Sequence, residues 1–396
     1  MTKKLEYRLF PLFTLAFLRV ASTFSITLAL PLFYHGKLND GLIGFLTGAT
    51  ALSYLLSPYL FRNAYKKIGI KNSLLIATGG MLCVQIGLQF SLEYWIPTYL
   101  LLFYDGISLG LFWPIITSAY TMVLSHDGIR DNEKEKDKLS RNLGLSWNIG
   151  GIFGYSISAI ALFVITDIIL VFRISLIYMI IAVISAFLFE EPKSFDVNGE
   201  LLMEKEVKLN SKENYVFPYI VPLLIASIFS FVSGCFGILF PIKFDILGYD
   251  DFLAYLLSFI RMISQTIVIT AGMTFKISTL KRLVPMSIVL MVINIFIFGL
   301  LDNFIIYGIV FGLLGALFGI FYCFPFKMSI LKNMEKNNMR GTTYFETAIG
   351  LNFWLGPVIG GFMLVISPLF GFMILTLIIL IIGIVYLIFQ NRIKPI

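Results

Sequence analysis

The chain has 396 residues, 58% of them hydrophobic and only 13% charged, with a net charge of +7. A soluble domain carries about 25% charged residues, so a water-soluble globular fold is excluded and lipid is the expected solvent. The positive balance is therefore read by its place along the chain and not as a nucleic-acid surface.

Apolar runs of about 18 or more residues cross the roughly 30 Å hydrocarbon core as helices, at about 1.5 Å per residue. In chain order they predict helix 1 over about Leu9–Tyr34, helix 2 over Gly41–Phe61, helix 3 over Ser73–Leu92 and helix 4 over Pro97–Leu124. Helix 5 is expected over Leu143–Ile165 and helix 6 over Ile168–Phe189. The second half gives helix 7 over Val216–Ile242, helix 8 over Phe252–Phe275 and helix 9 over Leu283–Leu301. Helices 10, 11 and 12 follow over Phe304–Leu331, Thr342–Ile366 and Leu369–Phe389, the last two divided only by Ser367 and Pro368. The first run is longer than a signal-peptide core and is expected to be a retained helix. His126–Asn142 is expected as a solvated charged loop. Glu190–Tyr215, the longest strongly polar run, is expected as a slack tether that could reach about 85–94 Å if extended.

Twenty-five of the 30 Lys and Arg residues fall in the N-terminus, the even-to-odd connections and the C-terminus; the opposite loops hold only Lys37 and Lys243. Basic loops stay cytoplasmic, so both termini and the central run are expected inside, in a multi-pass protein of the cell membrane. Arg19, Arg173 and Arg261 fall within helices.

The two halves repeat. A shift of 210 residues brings Pro31 onto Pro241, Asp40 onto Asp250, Leu46 onto Leu256, Lys66 onto Lys276, Lys71 onto Lys281 and Met81 onto Met291. A shift of 209 aligns Gly106, Gly110 and Phe112 with Gly315, Gly319 and Phe321; a shift of 206 aligns Gly144, Gly150 and Gly154 with Gly350, Gly356 and Gly360. Six helices return the chain to its starting side, so the repeats are parallel, related by an axis along the membrane normal. The expected domains are an N-terminal bundle (residues 1–189), a linker (190–215) and a C-terminal bundle (216–396).

Twelve helices in this arrangement resemble the major facilitator superfamily over nearly the whole chain. The family's loop between helices 2 and 3 is matched by Lys67, Gly69 and Lys71, with Arg62, Lys66 and Asn72 departing from the pattern. Its Gly-Pro-x-x-Gly-Gly motif is complete as Gly356, Pro357, Gly360 and Gly361. The helix 5 counterpart is only Gly150, Gly151, Gly154 and Tyr155, and Leu102 stands where an Arg is common before the glycine-rich Gly106–Pro114. The resemblance implies an all-α fold of two six-helix bundles, with helices 1, 4, 7 and 10 around a central cavity.

Arg19 is the sharpest single signal, because an Arg at mid-membrane costs roughly 2.5–3.5 kcal/mol on insertion scales and must face protein or water. It either contacts an anionic substrate or holds helix 1 in a fixed ion pair. Asp105 and Arg261 lie at a shared depth, about 12–14 Å from the far ends of helices 4 and 8. Asp105 is expected to pair with Arg19 or Arg261 and is the candidate for proton coupling. Trp113, Tyr120, Trp147, Asn148, Tyr322, Asn352 and Trp354 are candidates for an amphipathic pocket or for packing. Glu346, near the start of helix 11, is expected either as a plain helix-start acid or as an inner latch that complements that helix's positive end and the basic loop of Lys66, Lys67, Gly69 and Lys71. Four-residue glycine spacing at Gly106/Gly110, Gly150/Gly154 and Gly356/Gly360 lets helices approach closely. Gln85 and Gln89 are expected to be structural, and Lys243 and Arg173 to snorkel.

No metal spacing or phosphate-binding loop is present, and His35 and His126 lie in opposite loops; no cofactor and no enzyme activity are expected. The expected function is secondary active transport of a small organic solute by alternating access, coupled to protons, by a monomer in the lipid bilayer with no nucleic-acid partner. A multidrug exporter or lipid flippase, and a non-transporting sensor or scaffold on the same fold, are the alternatives.

Overall fold

A computed structural model describes residues 2–61, 67–124, 133–190, 215–336 and 340–395. Among these residues, twelve helices are long and apolar enough to cross a membrane. They are α1 (Thr2–Tyr34), α2 (Asp40–Phe61), α3 (Ile70–Ser91), α4 (Trp95–Leu124), α5 (Glu133–Val164) and α6 (Ile169–Leu188). After a two-residue strand β1 (Tyr215–Val216) come α7 (Ile220–Ile246), α8 (Asp251–Gly272), α9 (Ile277–Leu300), α10 (Phe304–Lys336), α11 (Arg340–Leu364) and α12 (Pro368–Gln390). A second two-residue strand, β2 (Lys394–Pro395), pairs antiparallel with β1 and ties the C-terminus to the entry of the second half.

Helices dominate because lipid offers no hydrogen bonds, so each spanning segment must satisfy its backbone internally. Large apolar side chains accordingly stay exposed on the outside, Phe90, Leu60 and Ile305 among the most exposed. Where the chain leaves the bilayer, local chemistry sets the ends. Gly69 opens α3 at φ +83°, a backbone conformation that side-chain-bearing residues rarely adopt. At the weakest predicted division, Ser367 caps α12 by accepting a hydrogen bond from the Phe370 amide at 3.1 Å, with Pro368 in the first turn.

One expectation fails here. Much of the charged stretch His126–Asn142 is helical, since α5 begins at Glu133. Its alternating acids and bases favour a helix that runs on past the bilayer into water. Most of the central run (191–214) lies outside the described residues, as do Lys66 and His126.

The helix neighbours repeat between halves. In the first half α1 packs on α5 and α6, α4 on α2 and α3, and α3 on α6; in the second α7 packs on α11 and α12, α10 on α8 and α9, and α9 on α12. Two six-helix bundles thus share one internal plan, related by a pseudo-two-fold axis. They meet along two equivalent seams, α2 with α11 and α5 with α8, and along α1 with α7 between them.

Candidate functional site

The glycine motifs explain the close packing. A Cβ at Gly106 would collide with the Thr50 carbonyl of α2, and one at Gly315 with the Arg261 carbonyl of α8. Gly110 lies against Ser57 of α2 and Gly319 against Val268 of α8. Gly150 and Gly154 lie against Phe17 and Ala21 of α1, while Gly356 and Gly360 lie against α7 at Phe231 and Cys235. These eight glycines therefore hold helices together within each bundle. A different set faces the seam: Gly44 lies against Pro357, Gly48 against Trp354, and Gly361 against Gly44 and the Asp40 carbonyl.

The intramembrane charges fall into three environments. Arg19 on α1 makes a bidentate pair with Asp105 on α4, Nη1 to Oδ1 at 3.1 Å and Nη2 to Oδ2 at 2.6 Å. The residues are 1% and 2% exposed, so the pair is dry, and the fork geometry gives each oxygen its own donor. Three residues along the same face of α1, Ser22 meets the Ser175 hydroxyl at 2.7 Å, and Ser175 donates to Gln85 Oε1 at 2.9 Å. Gln89 Nε2 reaches the Phe172 carbonyl at 3.2 Å. Both glutamines thus join α3 to α6.

Asp105 and Arg261 are each ten residues from the start of their helices, yet Arg261 does not take Asp105. It donates to the Tyr155 hydroxyl of α5 at 3.1 Å and lies over the Tyr155 and Phe318 rings. Among the described residues it has no acidic partner within ion-pair distance. Tyr155 packs edge-on against Tyr255 of α8, whose hydroxyl donates to the Ser25 carbonyl of α1 at 2.6 Å. This chain of contacts crosses the α5/α8 seam.

Glu346, six residues into α11, receives a hydrogen bond from the Tyr54 hydroxyl of α2 at 3.4 Å. Tyr59 of α2 meets Thr347 at 2.7 Å. Glu346 is not paired with Lys67, which is exposed. The carboxylate is therefore engaged across the α2/α11 seam. Lys71 is partly exposed.

Beside this seam an aromatic cluster spans the bundles. Trp147 of α5 and Tyr322 of α10 meet at 5.6 Å, and Tyr322 continues to Phe229, Phe326 and Phe345. Phe229 also contacts Phe353. Asn352 is held by Ser227 of α7 at 3.1 Å and by its own helix at Ala348. The remaining candidates scatter. Asn148 is 1% exposed and bonds back to the Gly144 carbonyl. Trp113 packs on Phe112 inside the first bundle. Trp354 lies against Gly48 in the seam, and the side chain of Tyr120 is not described.

Lys243 departs from the expected snorkelling. It is 6% exposed and turns inward, donating to the carbonyls of Phe298 at 2.7 Å, Gly299 at 3.1 Å and Leu301 at 3.4 Å. Asp302 neutralises it at 2.9 Å. The unsatisfied carbonyls and negative end of α9 attract the ammonium more strongly than water at the membrane edge. Arg173 is exposed, as a snorkelling residue would be. At the same far end of the molecule, His35 sits 3.4 Å from Asp40 and 3.7 Å from Asp245, joining α1, α2 and α7.

Two bundles of one plan, a polar and aromatic interior between them and apolar outer walls define a polytopic helical transporter fold. A family model described as Major Facilitator Superfamily matches residues 12–344, and the chain belongs to that family. Among solved structures it is similar to the nucleoside transporter NupG, with a TM-score of 0.72 at 14% identity, covering 97% of this chain and 99% of that one. A point mutant of that transporter aligns with a TM-score of 0.74 at 13% identity, covering 96% and 99%. No match is found among curated protein sequences.

Proposed function

We propose that the chain is a secondary transporter that moves a small ring-bearing organic solute, of the nucleoside class, by alternating access coupled to protons. The observation that carries this reading is the Trp147–Tyr322 pair, an aromatic contact made by opposite bundles. A flat solute entering between the bundles would replace that contact by stacking, and Arg261, which reaches across to Tyr155, supplies a polar group in the interface. The overall likeness to a nucleoside transporter supports the same class. The excess of Lys and Arg on the side of the termini supports cytoplasmic termini in a cell membrane.

The test is uptake of radiolabelled uridine and adenosine by proteoliposomes under an inward proton gradient. Accumulation above equilibration, abolished by a protonophore, is the expected result. Trp147→Ala should weaken it about tenfold, since stacking on a base is worth about 1–3 kcal/mol. Absence of nucleoside flux from well-folded protein would overturn the solute class.

A further inference from the structure

We propose that Glu346, and not Asp105, is the carboxyl group that takes up and releases the coupling proton; this rests on the proton-coupled reading above. The argument begins with what moves. Arg19 and Asp105 both belong to the first bundle, and their bidentate contact is buried on all sides. Rocking one bundle against the other leaves both partners and their surroundings unchanged. A charge already matched by its own guanidinium needs no proton, so this pair has no means to report the state of the transporter.

Glu346 stands in the opposite situation. Its partner, Tyr54, comes from the other bundle, so the contact is made or lost as the bundles move. The phenols beside it are Tyr54 of α2, which donates to it, and Tyr322 of α10, whose ring packs on the neighbouring Phe345. The other phenols on the helices packed around it meet other residues: Tyr59 meets Thr347, Tyr219 at the start of α7 lies against Tyr344, and Tyr386 of α12 lies against Phe324. Lys327 of α10 donates instead to the Phe275 carbonyl. Among the described residues no Lys, Arg or His stands within ion-pair distance of Glu346. An acid at this depth with no cation is compensated by a proton or by water.

The cycle follows. A proton from water adds to the Glu346 carboxylate and forms a carboxylic acid, and the closed seam holds that neutral acid against Tyr54. Parting of α2 from α11 on the side of the termini removes Tyr54 and admits water, and the O–H bond breaks to return the proton and the carboxylate. No other reactant is needed. The repeat supports a dedicated role: the shift of 206 puts Ser140 where Glu346 stands, so the other seam carries no acid there.

Two readouts test this. Infrared difference spectra of the purified protein in lipid should show a protonated-carboxyl band that comes and goes as pH is cycled. Glu346→Gln should remove it, and Glu346→Asp, which keeps the group on a shorter arm, should retain it at a shifted midpoint. The same band unchanged in both variants would overturn the assignment. In proteoliposomes, Glu346→Gln should reduce gradient-driven accumulation to the equilibration level, and full accumulation in that variant would also overturn it. Wild-type protein that shows the Glu346 band but carries no nucleoside would leave the proton site standing and remove the solute class.

Discussion

The two seams between the bundles are equivalent by the repeat but built by opposite means. Along α2 and α11, glycine meets backbone: Gly44 lies on Pro357, and Gly361 on Gly44 and Asp40. Along α5 and α8, side chains do the joining. Tyr155 stands where the shift of 206 would put a counterpart of Gly361, and it takes up Arg261 and Tyr255. Backbone contact of the first kind is close and tolerates little change in separation. Side-chain contact of the second kind can break and re-form by rotamer changes. The difference teaches that the far half of the α2/α11 seam, at Gly44, Asp40 and Gly361, is suited to a fulcrum that keeps its spacing, and the α5/α8 seam to a latch. Glu346 sits at the opposite, terminus-side end of the α2/α11 seam, where rotation about that fulcrum makes the larger change in access.

The same contrast runs inside the bundles, and there the largest effect is expected. The first bundle fills its centre with Arg19 and Asp105; the shifts of 210 and 209 put Phe229 and Leu314 at those places in the second. Leu314 is fully buried and Phe229 nearly so. Removing one member of a buried ion pair costs about 3–5 kcal/mol, because the other charge is left without a partner. Asp105→Leu alone should therefore unfold readily in detergent, as should Arg19→Phe alone. The double variant, which copies the second bundle, should recover most of the loss in a thermal-unfolding cycle. A double variant no better than the sum of the two would mean that the pair supplies something apolar packing cannot, and the comparison of the bundles would break.

Much of this was legible before the structure. The helices were, because lipid forces each spanning run to satisfy its own backbone. The repeat was, because glycines at equivalent contacts cannot drift. Depth along a helix follows from residue counting, which is why Asp105 and Arg261 were placed at one level. The direction a side chain takes around the helix is not fixed by depth, so two arginines remained as partners for Asp105, and only packing chose Arg19. Of the seam glycines only Gly361 belongs to a motif; Gly44, Gly48 and Tyr54 carry none, so nothing in the sequence singles them out. Tyr155 was visible as the departure from the Gly-Gly ending of the helix 11 motif, yet its role needed Arg261 beside it. The inward turn of Lys243 is hidden in the sequence because a basic residue near a helix end normally reaches outward, and Asp302, in the far-side turn after α9, is only one of several acids at that end.

A smaller effect separates the two seams directly. A Cβ at Gly44 would meet the backbone oxygen of Pro357, which cannot yield without moving α11. A Cβ at Gly151 of α5 would meet the terminal methyl of Met262 on α8 at 2.9 Å, the end of a flexible side chain. Overpacking of a rigid contact costs about 1–3 kcal/mol. Gly44→Ala should lower the transport rate about tenfold, on the scale of about 1.4 kcal/mol per decade, whereas Gly151→Ala should stay close to wild type. Equal losses in the two variants would show that both seams are rigid and would remove the distinction between fulcrum and latch.

The smallest expected effect lies at the far ends of α1 and α7, where the repeats close the turn after their third helix with different chemistry. In the first bundle the Tyr34 hydroxyl donates to the Leu92 carbonyl at 2.6 Å; in the second, Lys243 donates to the end of α9 and pairs with Asp302. The hydrogen bond from Lys243 holds the Asp302 carboxyl below its ordinary value of 3.8, against a weaker opposing effect of burial and with help from the Tyr307 hydroxyl. A carboxyl whose folded value lies below its unfolded one binds fewer protons in the native state. Its contribution to stability is then fully present above the unfolded value and is lost as pH falls through the folded value. Asp302 is 55% exposed, so solvent limits the pair to about 1 kcal/mol or less. Thermal unfolding followed from about pH 6 to about pH 3 should show an acid-side decline that Asp302→Asn reduces. Tyr34→Phe should lower stability by a similar amount, about 1 kcal/mol for a neutral hydrogen bond, at every pH in that range, because a phenol does not titrate there. An acid-side decline as steep in Asp302→Asn as in the wild type would place the sensitivity elsewhere and make the two caps energetically alike.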